Sequence, residues 1–129
     1  MKQEEIVNEI RRMCGNVKFI PSLGWHFKYK KQVYFYVVGK DETMIRFCIP
    51  FVVGLPLQNK EQLKEAVNDT NKNVKYTKAL LSGKDEAKVS LDYDHKITDK
   101  ESTKNIMPHI IKTLDFAVVY LEERVREKR

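Results

Sequence analysis

The sequence predicts an α+β domain whose elements run α-β-β-β-α-β-β-α along a single unit covering residues 1–129. Three observations carry this. Between Lys88 and Ile97, the residues Val89, Leu91, Tyr93 and Ile97 alternate strictly with Lys88, Ser90, Asp92, Asp94 and Lys96, which is the period of a strand with one buried and one wet face. The connections between the extended stretches are too short for parallel crossovers, so the sheet is an antiparallel meander. Three further stretches carry apolar residues at helical spacing. A chain of 129 residues buries roughly 70% of its unfolded surface without disulfide or metal staples.

The first helix spans Lys2 to Met13, with Ile6, Ile10 and Met13 on one side and Gly15 as its left-handed terminator. A helix this short needs a surface to dock on. A β-rich block follows from Val17 to Val53. It opens with the short run VKFI, which Pro21 to Gly24 separates from a clear strand, WHFKYK, with Trp25, Phe27 and Tyr29 on one face. The next strand, VYFYVV from Val33 to Val38, is apolar on both faces. Gly39 to Glu42 forms a turn, and a third strand from Thr43 to Val53 places Ile45, Phe47, Ile49, Phe51 and Val53 inward. Pro50 marks an edge or bulge near its end.

Asn59 is expected to cap the second helix, with Gln62 in capping-box position and Leu63, Ala66, Val67, Thr70 and Val74 on its stripe. The strand VKYTKALL and a Ser82 to Asp85 turn then lead into the alternating strand described first. Thr98 to Glu101 matches the T-x-x-E capping box of a last helix, and Pro108 within that helix predicts a kink or a restart.

That last helix is too apolar for one contact. Ile106, Ile110, Leu114, Ala117, Leu121 and Val125 form a core stripe, and Met107, Ile111, Phe116, Val118, Val119 and Tyr120 surround it. Either other elements of the same chain sandwich it, or it meets a second molecule. The two-sided strand VYFYVV poses the same choice. Phe35, Tyr36, Ile111, Val118 and Val119 are therefore the candidate contacts for a dimer mate or another protein.

Evidence for chemistry is thin. His26, His95 and His109 have no metal-ligand spacing, and Cys14 and Cys48 do not complete a set. Asp92, Asp94 and Asp99 imitate a carboxylate pair, but Lys88 and Lys96 on the same strand face make solvated charge pairing the better account. No phosphate loop or nucleophile elbow occurs, so no enzyme, metal or cofactor is expected. The net charge of +6 allows an acidic partner without demanding one, because acids are interleaved throughout. The alternative reading is a single-strand nucleic-acid binder, with Lys28 and Lys30 beside Tyr34 and Tyr36 to stack bases. A polar start, no long apolar run and unpaired thiols point to a cytoplasmic protein with no membrane contact.

The element order, the run AVNDTNKNVKYTKALL, the strand KVSLDYDHKI and the C-terminal helix together resemble the bacterial type III secretion chaperone-like superfamily, with its YbjN-like branch nearest. The resemblance covers Ile6 to about Leu121. It implies a curved antiparallel sheet flanked by helices and a homodimer that binds protein segments as a chaperone or regulator, without cofactor or catalytic residues. The chain departs from secretion chaperones in charge, since those are typically acidic.

Overall fold

The computed structural model describes residues 3–38, 43–55, 60–82, 88–98 and 102–127. Their order is α1 (Gln3–Cys14), β1 (Val17–Ile20), β2 (Gly24–Tyr29), β3 (Gln32–Val37), β4 (Met44–Ile49), α2 (Lys60–Asn73), β5 (Thr77–Ser82), β6 (Lys88–Lys96) and α3 (Thr103–Glu127). The architecture is α+β as expected, with VKFI promoted from a loose run to strand β1. Every strand pair is antiparallel, and the open six-stranded sheet is ordered β1-β2-β3-β4-β6-β5.

All three helices cover one side of that sheet. α1 touches β1 and β2, α2 touches β5, and α3 lies between the other two helices over β5 and β6. The side chains they cover sit in cross-strand register: Phe27 with Tyr34, Tyr36 with Phe47, Phe47 with Tyr93, and Leu91 with both Ile49 and Ala79. Together with Ile6, Ile10, Leu63, Ala66, Leu114 and Leu121 they form one core. Tyr36 stacks on Phe47 at 5.2 Å between ring centroids, and Phe27 on Tyr34 at 5.3 Å.

Local details follow the residues. Gly15, at φ 87°, ends α1 with its N–H donating to the Arg11 carbonyl at 3.0 Å. Gly24 opens β2 at φ 137°, where a Cβ would strike the Tyr36 carbonyl. Pro50 has a larger effect than expected. It ends β4 at Ile49, and the alternation shifts: Phe51 is exposed while Val52 is buried and donates its N–H to the Val89 carbonyl at 2.9 Å. Helix α3 begins after Ser102, whose carbonyl accepts from both Asn105 and Ile106 at 3.1 Å. That start is later than a cap at Thr98 would give; residues 99–101 of the expected capping box, Asn59 and the turns over 39–42 and 83–87 lie outside the described residues. No restart occurs at Pro108, because α3 continues through it.

Two side-chain amides stand in for missing strand partners. Asn71 of α2 donates to the Ala79 carbonyl at 2.9 Å and accepts from the Ala79 N–H at 2.6 Å, occupying the outer edge of β5. Gln32, almost fully buried, does the same for Val53, donating to its carbonyl at 3.0 Å and accepting from its N–H at 2.8 Å. Both are hydrogen-bonded to backbone that would otherwise have no ladder partner there. Asn71→Ala is expected to lower stability by about 1–3 kcal/mol, since two backbone groups lose their partner. Chemical denaturation measures this, and amide exchange at Ala79 should accelerate.

Candidate functional site

Among the described residues, no element covers the side of the sheet away from the helices. Alternation places one residue per strand in a row across it: Lys18, His26, Phe35, Cys48, Asp92 and Lys78 follow each other in Cα register from β1 to β5. A second row runs through Val37, Arg46 and Asp94, with side-chain-free Gly24 next to Val37. Val33 is 38% exposed and Leu80 39% on the same side, and Phe35, Val37 and Cys48 are half-buried. His26 stacks on Phe35 at 5.7 Å.

The face is apolar at its centre on β3 and β4, cationic on β1 and β2 through Lys18 and Lys28, with the His26 imidazole beside them, and anionic on β6. There Asp94 accepts from the Arg46 guanidinium at 2.8 and 3.3 Å. Burial, and secondarily the neighbouring Asp94 charge, hold the Asp92 carboxyl above its ordinary pKa. Asp92 is thus a partly dehydrated acid beside an apolar strip, and a cation approaching from outside would relieve it.

Cys48 sits in that strip. Burial foremost, then the Asp92 charge, pushes its thiol up to about 11, and burial alone does the same for Cys14 on α1. Both thiols are free. Iodoacetamide at pH 7.5 should therefore label the folded protein on the order of a hundredfold more slowly than free cysteine, because the thiolate is the reactive form. The rate should climb as pH is raised toward 11, and mass spectrometry on quenched samples checks it.

The residues singled out from sequence divide by face. Phe35 lies half-buried on the open side, and Val119 is 46% exposed on α3. Tyr36, Ile111 and Val118 are buried within the chain's own core, so a partner cannot reach them. The surplus apolar surface of α3 is mostly explained by its flanking helices, which leaves Phe116 and Val119 outside.

The nucleic-acid set is dispersed more thoroughly. Lys28 is on the open face, but Tyr34 and Tyr36 point the opposite way into the core. Burial, with a lesser contribution from Asp115, pushes the Tyr34 hydroxyl well above its usual range. Lys30 donates to Asp115 at 2.8 Å, and Lys31 pairs with Glu122 at 3.0 Å, so both cations fasten the β2–β3 turn onto α3. No base can stack on tyrosines held inside. Asp92 and Asp94 share the open face while His95 belongs to the helix side, so these three do not converge into a catalytic pocket.

Among the described residues, no cluster of three or more His, Cys, Asp or Glu side chains has the geometry to hold a metal, and no helix is long and apolar enough to cross a membrane. His26 and Cys48 were not among the contacts expected from sequence. Their place emerges only when strand register is known.

In overall shape the chain is similar to two solved structures over nearly its full length. One is YbjN, a candidate transcription regulator from E. coli, at 9% identity, TM-score 0.63 and coverage of 99% of this chain and 94% of that one. The other is an uncharacterized protein from Methanothermobacter thermautotrophicus, at 16% identity, TM-score 0.67 and 99% coverage of both chains. The fold is YbjN-like. At the level of sequence, no family model and no curated protein matches.

Proposed function

We propose that this chain is a non-enzymatic protein-binding module, chaperone-like or regulatory, that works as a homodimer through the open face of its sheet. The observation that carries the reading is the uncovered apolar strip on β3 and β4, with cations on one flank and carboxylates on the other. At roughly 25 cal/mol per Å2, leaving several such side chains wet costs several kcal/mol and favours association. The likeness in fold to a candidate transcription regulator agrees with a regulatory rather than a catalytic role.

The charge distribution suits a second copy in particular. Consider a two-fold axis parallel to the strands, midway between β3 and β4, with the sheets about 10 Å apart. It sets Phe35 against the mate's Cys48 and His26 against the mate's Asp92, each contact twice. The same axis sets Lys18 against the mate's Lys78, a like pair at the solvated rim where water and salt screen it. Light scattering on the purified protein tests the state: a species of twice 15.2 kDa is expected. A particle of 15.2 kDa at high micromolar concentration overturns the homodimer. The exposed apolar residues of the helix side remain available for other protein segments.

A further inference from the structure

A second surface lies on the helix side, across the sheet from the first. Where α2 runs into β5, a groove of about 440 Å3 opens between Asn73, Val74, Lys75 and Tyr76 on one wall and His109, Lys112, Thr113 and Phe116 of α3 on the other. The α3 residues follow at three- and four-residue intervals, so they present one continuous helical face.

Three properties distinguish this groove. First, Tyr76 holds φ at 71°, a left-handed conformation that an aromatic residue adopts rarely and at a cost of about 1–3 kcal/mol. The residue is 68% exposed. Second, the ring is oriented. It meets His109 edge-on at 5.7 Å, and His109 in turn meets buried Tyr93 edge-on at 6.2 Å. At the far end Phe116 is 59% exposed, so an apolar guest would be walled by aromatic rings at both ends. Third, the lining contains two cations, Lys75 and Lys112, and no acid. Neither lysine forms a salt bridge among the described residues, unlike Lys30 and Lys31 on the opposite flank of α3, which are paired with Asp115 and Glu122.

We propose that this groove binds an acidic segment of a partner protein, with an aromatic or aliphatic side chain seated between Tyr76 and Phe116 and flanking carboxylates on Lys75 and Lys112. The proposal rests on the protein-binding reading above but not on the dimer, since the two surfaces lie on opposite sides of the sheet. A nucleic-acid strand fits less well. Two lysines offer contacts for at most a couple of phosphates, and the lining is mainly apolar wall with little to hydrogen-bond a base edge.

Chemical-shift mapping on the isotope-labelled full chain tests this with three probes: the peptide Glu-Glu-Phe-Glu-Leu-Glu, its counterpart with lysine for every glutamate, and a ten-residue oligothymidylate. The acidic peptide should give saturable shifts confined to residues 73–77 and 109–116. The lysine peptide should bind at least about tenfold more weakly, since unlike charges now become like. Lys75→Glu with Lys112→Glu should reverse the preference, and because both side chains are exposed the fold is expected to persist. Shifts elsewhere, no saturable shift, equal binding of the two peptides, or tighter binding of the oligothymidylate would each overturn the proposal. Failure here with a dimer of intact mass leaves the sheet-face reading standing; success with a monomeric chain separates them the other way.

Discussion

Ile111→Ala is expected to destabilise the fold by about 2–5 kcal/mol, a large fraction of the 5–15 kcal/mol typical of a domain. Ile111 is fully buried on α3, and α3 is the element on which α1, α2 and the inner face of the sheet all converge. Truncating it removes apolar contacts and leaves a cavity that the neighbours, held by register and by their own packing, cannot collapse to fill. Val119→Ala is the matched control. It lies two turns along the same helix but is 46% exposed, so its removal should change stability by no more than about 0.5 kcal/mol. Urea denaturation of the two variants measures both. Equal costs would mean that the interior of α3 is not where the packing places it.

Those two residues also show how far periodicity reaches. Alternation from Lys88 to Lys96 set both faces of β6 correctly because Val89, Leu91 and Tyr93 are unambiguously apolar while Lys88, Ser90, Asp92, Asp94 and Lys96 are polar or charged. In β3 both faces are apolar, so spacing alone cannot choose the inward one. The choice is made by partners, since Tyr34 and Tyr36 register with Phe27 and Phe47 while Phe35 registers with His26 and Cys48. The proposed tyrosine stacking platform failed at that step. Helix α3 posed a similar ambiguity: a wide apolar surface reads the same whether two helices or another molecule flank it. At β4 the pattern was legible up to Pro50 and misleading after it, because a residue without an N–H breaks the ladder and lets the chain reset its facing.

Other features leave no mark in local sequence. Asn71 is a poor helix former near the end of α2, yet its amide holds the edge of β5 eight residues on. The left-handed backbone at Tyr76 carries no glycine or asparagine to announce it.

Phe35→Asp should raise the dissociation constant of the dimer by at least about 100-fold, equivalent to ~2.7 kcal/mol. A two-fold axis between β3 and β4 places this residue near the centre of the contact, so the substitution inserts two carboxylates per dimer into an apolar strip already flanked by the partly dehydrated Asp92. In the separated chain Phe35 is on the surface side of the sheet, and the far-ultraviolet spectrum should stay native. A disrupted dimer alone would not locate the axis, however, and the charge pairs do. His26→Asp sets an acid against the mate's Asp92 at each of the two contacts, and like charges brought together cost several kcal/mol. Asp92→Lys removes the carboxylate that the mate's His26 ring N–H can donate to, so it too should weaken association. The double variant sets an acid and a lysine opposite one another at both contacts, so it should dimerise at least about tenfold more tightly than either single variant. Sedimentation across a dilution series reads all four proteins at once. A double variant as weak as the sum of its parts would rule out the aligned, face-to-face arrangement, because no other placement of the axis brings residue 26 over residue 92.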